Sequence, residues 1–293
     1  MVAQKFGSRH TDEKLDKLER YLKSYSTALK NQNFHLIFFD AFAGTGDIQI
    51  GEEAPLLQNV DEYEPFIKGS AQRALRFGEA FDQYIFVEKS KKKVRELREL
   101  LTLFPDMAQR INIRCGDANE QLKTFCAQTD WRSSRAVVFL DPCGNQVEWE
   151  TIAAIAKTEA IDLWYLFPAG LGVYRQISKT RGVHKTHVDS LDKLFGTTKW
   201  RDAFITLRET DDLFGSRENQ EKEATVESVT RYMAMRMKRV FKGGVLEEWL
   251  PLGSKGIHMY SLMFAWANPS EKAQLAGKLA LAVLRSGNRG RFK

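Results

Sequence analysis

His35-Leu36-Ile37-Phe38-Phe39-Asp40-Ala41-Phe42-Ala43-Gly44-Thr45-Gly46 is the stretch that decides the fold of this 293-residue chain. Its first five residues form a continuous apolar run, which is typical of a strand covered on both faces in a parallel sheet. Gly44 and Gly46 let the backbone bend sharply and approach a ligand without a Cβ in the way. The stretch therefore predicts a strand followed by a ligand-binding loop.

More apolar runs follow, each separated from the next by a segment of helical length. We predict strands at 83–87, 110–114, 136–140 and 161–167, and helices at 90–104, 118–127 and 149–157. Strands that alternate with helices are the pattern of a doubly wound α/β domain with right-handed crossovers. An amphipathic helix over 11–31, with Thr11 or Asp12 as its N-cap, precedes this pattern.

The last two apolar runs lie at 245–250 and 258–267, with only a short Gly-Pro-containing connection between them. Because that connection is too short for a helical crossover, we predict a hairpin and an antiparallel last strand in a seven-stranded, mostly parallel sheet. We interpret residues 170–244, between the fifth predicted strand and these last two, as a helical insertion, since no strand signal occurs there. The predicted organisation is a helical extension at 1–33, a sheet domain at 34–169 and 245–286, a basic helical insertion at 170–244 and a flexible basic tail at 287–293.

Composition limits the classes of protein to consider. The chain is 43% hydrophobic and contains no run of about 18 apolar residues, so we expect no membrane contact and a cytoplasmic location. Its three cysteines (Cys115, Cys126 and Cys143) include no Cys-x-x-Cys pair, which argues against a disulfide framework and against a metal site.

The net charge of +6 leaves room for a polyanionic partner. Residues 171–201 contain seven lysine and arginine residues and only two acids, a surplus of positive charge that attracts phosphates. The candidates for nucleic-acid contacts are Arg175, Lys179, Arg181 and Lys185. The same residues also suit a solvated face, so charge alone leaves both interpretations open.

Acidic residues stand at the ends of the first four predicted strands. They are Asp40, Glu88, Asp117 and Asp141. In open α/β sheets ligands bind beyond the carboxyl ends of the strands, where such acids accept hydrogen bonds from a ribose, an amino group or an ammonium. Each acid also suits a helix N-cap or a solvated strand end, but four in order on successive strands favour a binding site.

Two nucleotide sites fit less well. A nicotinamide dinucleotide site lacks its third glycine, because Gln49 stands there, and Glu88 lies far beyond the ~20 residues expected after the loop. A phosphate-binding loop is excluded because no Gly-Lys-Ser/Thr sequence follows the glycines.

Several short motifs together resemble the three-Cys-motif partner protein family, which belongs to the Rossmann-like class I S-adenosylmethionine methyltransferases. These motifs are Asp40–Gly46, Gly69-Ser70, Glu88, Gly116-Asp117 and Leu140–Gly144 followed by Trp149. The resemblance implies S-adenosylmethionine as cofactor and a partner that carries a three-cysteine motif. It places Asp40, Gly44 and Gly46 at the methionine end, Glu88 at the ribose and Asp117 at the adenine. Phe42, in the same loop, is a further candidate for cofactor binding.

Asp141-Pro142-Cys143-Gly144 occupies the place of the Asp/Asn-Pro-Pro-Tyr/Phe motif of amino-methyltransferases. Asp141 and the Pro142 carbonyl are the candidate catalytic groups, which hold an amino group and orient its lone pair. Gly144 replaces the stacking aromatic, so Phe42 or Trp149 must supply that surface. Cys143 beside a proline is also a candidate nucleophile, with a small buried thiol as the alternative.

The leading prediction is an S-adenosylmethionine-dependent methyltransferase that acts on a nucleic acid, at an exocyclic nitrogen of a flipped or single-stranded base. One alternative is a non-catalytic subunit that binds S-adenosylmethionine or nucleic acid for a three-Cys-motif protein. Another is a methyltransferase for small molecules.

Overall fold

The computed structural model describes residues 8–43, 70–75, 80–177, 185–212, 215–254 and 256–286. The helices are α1 (Ser8–Leu29), α2 (Ser70–Leu75), α3 (Lys91–Leu103), α4 (Ala118–Gln128), α5 (Trp149–Lys157), α6 (Lys185–Phe195), α7 (Trp200–Phe204), α8 (Val226–Lys238) and α9 (Gln274–Arg285). The strands are β1 (His35–Asp40), β2 (Gln83–Glu88), β3 (Ile111–Cys115), β4 (Ser134–Leu140), β5 (Ile161–Phe167), β6 (Ile205–Asp212), β7 (Gly215–Lys222), β8 (Gly244–Val245), β9 (Leu250–Ser254) and β10 (Ile257–Trp266). A turn of π-helix covers Ala169–Tyr174, and short 3₁₀ helices cover Pro105–Arg110 and Glu271–Ala273.

The main sheet has the strand order β3-β2-β1-β4-β5-β10-β8, with β9 paired to β10. Strand β1 pairs in parallel with both β2 and β4, so the strand order reverses beside it. Strand β10 is antiparallel to β5. The predicted fold class, a Rossmann-like doubly wound sheet with an antiparallel last strand, is confirmed.

Successive residues of β1 bury their side chains on opposite faces of the sheet. Ile37 and Phe39 belong to the core that α4, α5, α6 and α8 cover. Leu36 and Phe38 belong to the core beneath α1, α2, α3 and α9. Full coverage of both faces explains the continuous apolar run in the sequence. No helix within the described ranges is long and apolar enough to cross a membrane.

The sheet has eight strands rather than seven, because the predicted strand at 245–250 is two separate strands. Strand β8 ends at Val245 and β9 begins at Leu250. Between them Glu247 pairs with Lys238 of α8, and Glu248 pairs with Arg285 of α9. Successive acids of this connection therefore contact two different helices.

The prediction that the insertion 170–244 is helical and lacks strands is wrong for 205–222. Strands β6 and β7 form an antiparallel hairpin there, in register from Ile205 opposite Lys222 to Asp212 opposite Gly215. Beyond Ile205 and Leu207 these segments contain no apolar alternation, which is why hydrophobic periodicity did not reveal them. The hairpin satisfies its backbone groups by pairing with itself.

Helix α1 is part of the helical layer that covers the sheet. It begins at Ser8 rather than after a cap at Thr11 or Asp12. Its apolar stripe, which includes Leu18, Tyr21, Leu22 and Tyr25, lies in the same core as residues of α9. The Tyr21 hydroxyl donates to Asp162 Oδ2 on β5 at 2.6 Å. These contacts fix α1 rigidly on the sheet.

Candidate functional site

The carboxyl ends of β1 to β4 open into a cleft of about 440 Å³. The residues that line it are Ala41, Phe42, Ser70, Val87, Glu88, Lys89, Lys93, Gly116, Asp117, Ala118, Asn119, Asp141, Cys143, Gln146 and Glu148. The cleft lies where strand order reverses, the usual ligand site of doubly wound sheets. Four of the predicted site residues, Phe42, Glu88, Asp117 and Asp141, meet there.

Asp40 ends β1 directly behind this cleft and is fully buried. Its Oδ1 accepts the Phe42 backbone N–H at 3.1 Å, whereas its Oδ2 has no hydrogen-bond partner among the described residues. The pKa of Asp40 is raised to about 7: burial is the main cause, the Phe42 N–H, the Ser70 hydroxyl and Lys14 oppose the rise, and Asp141 adds to it. Asp40 therefore offers a buried acceptor oxygen at the switch point. Gly44 and Gly46 of the predicted loop lie outside the described residues.

Glu88 and Asp117 are two acidic residues that line the cleft. Glu88 ends β2 and accepts the Ser90 N–H through Oε1 at 2.7 Å. Asp117 is the N-cap of α4, where its Oδ1 accepts the Asn119 N–H at 3.0 Å. Its Oδ2 lies 3.5 Å from the Nζ of the exposed Lys89. Capping uses one oxygen of Asp117 and the exposed Lys89 approaches the other, whereas Glu88 uses one oxygen for the Ser90 N–H. A ligand at Asp117 therefore competes only with an exposed lysine.

Asp141, at the end of β4, is held by a lysine that sequence reasoning did not single out. Lys14 Nζ donates to Asp141 Oδ2 at 2.5 Å. The Lys14 side chain is 0% exposed and that of Asp141 14% exposed. Lys14 lies on the apolar stripe of α1, four residues before Leu18, and a lysine in that position was the available signal. Pro142 is buried and does not line the cleft.

The loop after Asp141 is fixed by Asn119, which the sequence analysis also missed. Asn119 Nδ2 donates to the Gln146 carbonyl at 2.9 Å, and its Oδ1 accepts the Glu148 N–H at 3.0 Å and the Thr151 hydroxyl at 2.8 Å. Gly144, with φ of +82°, makes the turn inside this loop. One buried amide thus sets the path of the chain that carries Asp141 and Cys143.

Cys143 has the wrong electrostatics for an activated nucleophile. Although the residue is exposed, its thiol lies in the cleft, where desolvation raises its pKa. Asp141 and Glu88 raise the pKa of the thiol further, against Lys93 and Lys14. An activated thiolate needs the opposite shift.

Of the two aromatics considered for stacking, Phe42 lines the cleft and Trp149 does not. The Arg236 guanidinium lies over the Trp149 ring, 4.3 Å from its centroid. Gly196 also packs closely on this ring, since a Cβ there would lie 2.2 Å from Trp149 Cδ1. Trp149 therefore has a packing role at the start of α5, and Phe42 is the aromatic that a ligand in the cleft can contact.

Two of the predicted nucleic-acid contacts, Arg175 and Lys185, are not among the residues that line the cleft. Arg175 follows the π-helical turn and Lys185 begins α6, and both are exposed. Lys179 and Arg181 lie outside the described residues. Instead, Lys89 and Lys93 bring positive charge to the cleft itself. In the part of the chain that the structure describes, no group of three or more His, Cys, Asp or Glu residues is placed to hold a metal ion.

No family model matches this chain, and no curated protein matches it significantly. Among solved structures, an S-adenosylmethionine-dependent methyltransferase from Clostridium acetobutylicum is 8% identical, with 86% of this chain and 91% of that chain covered and a TM-score of 0.36. Spermidine synthase from Thermotoga maritima is 12% identical, with 92% and 72% covered and a TM-score of 0.40. Similarity at this level carries no argument about function, which must rest on the cleft.

Proposed function

We propose that this protein is an S-adenosylmethionine-dependent methyltransferase. The observation that carries the proposal is the meeting of Phe42, Glu88, Asp117 and Asp141 in one cleft at the carboxyl edge of the sheet. S-adenosylmethionine presents an adenine amino group, a ribose diol and a charged amino-acid end, which need acceptors at separate points. The free oxygens of the cleft acids supply them, and about 440 Å³ is within the range of small-molecule sites.

The residues at the cleft fit each part of this cofactor. Glu88 would bind the ribose and Asp117 the adenine edge. The unpartnered Oδ2 of Asp40 would accept from the methionine ammonium, and Gly44 and Gly46 remain cofactor-binding candidates from the sequence alone. A buried acceptor without a partner is costly unless a ligand satisfies it, so the charge and position of Asp40 support this assignment.

Methyl transfer needs one acceptor nucleophile held near the methyl group. When bound, S-adenosylmethionine supplies a sulfonium methyl, whose carbon–sulfur bond breaks as the acceptor nitrogen lone pair forms the new carbon–nitrogen bond and the positively charged nitrogen then releases a proton. Asp141 Oδ1 would hold the amino group and aim its lone pair, and Asp141 would receive the proton. Asp141 is accordingly the proposed catalytic residue, whereas Pro142, the other candidate from the sequence, is buried and does not line the cleft.

We further propose that the methyl acceptor is an exocyclic nitrogen of a nucleic-acid base. Phe42 supplies a stacking surface inside the cleft for a flipped or single-stranded base. Arg175, Lys179, Arg181 and Lys185 would contact phosphates outside it. We place this activity in the cytoplasm, where nucleic acid and cofactor are both present.

The test combines cofactor binding with methyl incorporation. Calorimetric titration with S-adenosylhomocysteine should show binding by the wild type and by Asp141→Ala, and at least tenfold weaker binding by Glu88→Ala. Labelled methyl groups should enter a mixture of single-stranded DNA and RNA with the wild type, and not with Asp141→Ala. The exposed Asp106→Ala is the matched control. Equal incorporation by Asp141→Ala and the wild type would contradict the assignment.

One structural observation favours a second candidate. Lys14 already occupies Asp141 Oδ2, and Gly144 stands where amino-methyltransferases carry an aromatic. A non-catalytic subunit that binds S-adenosylmethionine or nucleic acid for a three-Cys-motif protein would tolerate both features. Co-purification with such a protein, together with cofactor binding and no methyl incorporation by this chain alone, would establish it.

A further inference from the structure

The buried ion pair between Lys14 and Asp141 is the most unusual feature of the cleft. Its two members lie 127 residues apart, on α1 and after β4. Lysine is almost never fully buried unless it is paired, and here the whole Lys14 side chain is 0% exposed. Such a pair is weak evidence for stability, because desolvation offsets the attraction. Its position inside a proposed active site points to a functional role.

Helix α1 presents Lys14 from a rigid support. Tyr21, two turns further along the same helix, is fully buried and bonds Asp162 on β5. Leu18 and Leu22 pack in the core beside it. Functional groups on packed helices are held more closely than groups on loops. The ammonium of Lys14 is therefore held beside Asp141, behind the residues that line the cleft.

Lys14 also compensates part of the negative charge next to which a substrate would bind. Asp40 and Asp141 act on each other as like charges, and Lys14 is the cation that acts on Asp40. With Lys14 in place, the negative charge of Asp141 is compensated and its Oδ2 is used. Only Oδ1 remains to accept a hydrogen bond from a substrate.

We propose that Lys14 is a positioning residue that neutralises and orients Asp141, and thereby restricts the methyl acceptor to an uncharged amino group. The inference rests on the proposed function, because it names the acceptor class of the same site. An alkylammonium gains little from a carboxylate whose charge is already compensated, and it is repelled by the adjacent Lys14 ammonium. A planar, neutral amino group needs only the hydrogen bond to Oδ1. An ammonium also has no lone pair for the methyl carbon.

Two small probes separate these acceptor classes without requiring turnover. The ammonium ion of n-butylamine and neutral 9-ethyladenine are titrated into the full chain, with and without saturating S-adenosylhomocysteine, and followed by saturation-transfer NMR. The wild type should bind 9-ethyladenine more tightly than n-butylammonium. Lys14→Met should bind n-butylammonium at least tenfold more tightly than the wild type does.

Matched variants test whether this gain comes from the ion pair. Lys14→Arg keeps the charge and should behave as the wild type. Lys17→Met removes a neighbouring lysine of the same helix, 4% exposed, and should also behave as the wild type. The gain should vanish in the double variant Lys14→Met/Asp141→Asn, because the carboxylate that attracts the cation is gone. Lys14→Gln replaces Lys14→Met if circular dichroism shows that the latter does not fold.

The outcomes separate the inference from the proposed function. Equal affinity of Lys14→Met and wild type for n-butylammonium overturns the inference, as does a gain that persists in the Lys14→Met/Asp141→Asn double variant or also occurs in Lys17→Met. A wild type that binds n-butylammonium as tightly as 9-ethyladenine overturns it even if no Lys14 variant folds. Absence of S-adenosylhomocysteine binding, with the Lys14→Met gain intact, defeats the proposed function alone.

Discussion

Asn119 Nδ2 donates to the main-chain carbonyl of Gln146 at 2.9 Å, and this contact ties α4 to the loop after Asp141. Asn119 is 7% exposed, so the groups it binds have little access to water. The same side chain accepts from Glu148 and Thr151. Asp117, the proposed adenine ligand, caps the helix that carries Asn119. Hydrogen bonds therefore connect the Asp117 side of the cleft to the loop after Asp141.

Replacement of Asn119 by alanine should remove the hydrogen bonds that connect α4 to this loop. The Gln146 carbonyl, the Glu148 N–H and the Thr151 hydroxyl lose their partner, and the free energy of unfolding should fall by about 1–3 kcal/mol. Urea denaturation measures the loss, and calorimetry should show weaker S-adenosylhomocysteine binding. Asn112→Ala on β3 is the control, since the structure shows no side-chain hydrogen bond there within the described residues. A similar loss in the free energy of unfolding in both variants would argue against a specific role for the Asn119 hydrogen bonds.

Asp40→Asn should change the pH dependence of stability. The folded-state pKa of Asp40, about 7, lies above its ordinary value of 3.8, so between those pH values the unfolded state releases a proton that the folded state keeps. Wild-type stability should therefore fall as pH rises from about 4 to about 7, by about 1.4 kcal/mol per pH unit from this group. Asp40→Asn should lack this component.

Urea denaturation at pH 5, 6 and 8 checks the expectation for Asp40. The stability of Asp40→Asn relative to the wild type should increase from pH 5 to pH 6 and again towards pH 8. Asp106→Asn, at an exposed position, should follow the wild-type profile. Parallel pH profiles for Asp40→Asn and the wild type would show that the buried carboxyl is not protonated at neutral pH.

Lys14 and Asp141 should shift the titration of Asp40 in opposite directions. Lys14 lowers the pKa of Asp40 and Asp141 raises it. Lys14→Met should therefore raise the pKa of Asp40 above about 7, and Asp141→Asn should lower it. Carbon-13 NMR of protein labelled at the aspartate carboxyl, with the Asp40 signal assigned through Asp40→Asn, measures both midpoints. Shifts of the same sign in the two variants would refute the charge arrangement, and Lys17→Met should leave the midpoint unchanged.

Tyr21→Phe should destabilise the protein more than Tyr25→Phe. The pKa of Asp162 is raised to about 7 because burial outweighs the opposing effects of the Tyr21 hydroxyl and Arg135. Loss of the 2.6 Å bond from Tyr21 should reduce the free energy of unfolding by about 1–3 kcal/mol. Tyr25 is buried one turn away on the same stripe, and its hydroxyl makes no hydrogen bond within the described residues, so its loss should change stability by less than about 0.5 kcal/mol. Thermal unfolding compares them, and equal losses would contradict this role for Asp162.

Much of the sheet could be predicted, because its strands are short apolar runs covered on both faces. The strand at Ile161–Phe167 and the helix at Trp149–Lys157 have the predicted bounds. The acids at the strand ends could also be predicted to meet, since parallel strands align their carboxyl ends at one edge. These features depend on local pattern and on sheet geometry alone.

The remaining features depend on contacts between distant residues. From the sequence, Lys14 is expected to be a surface lysine. Its burial follows from the contact between α1 and Asp141 at the end of β4. Asn119 reads as an ordinary polar residue in the first turn of a helix. The β6–β7 hairpin has no apolar periodicity. The position of Trp149 away from the cleft depends on its contacts with Arg236 and Gly196, which are distant in sequence. Sequence pattern reports burial along an element and does not report which elements meet.

Helix α1 leaves the ribosome long before its polar partners are synthesised. Lys14 and Tyr21 bind residues 127 and 141 positions further along the chain, and Lys17 contacts Ser286, 269 positions further. At roughly 5–20 residues per second, the newly made helix waits on the order of ten seconds or more for these surfaces. During that interval none of these polar contacts of α1 can form. The ion pair that shapes the cleft therefore forms late, after most of the sheet has been made.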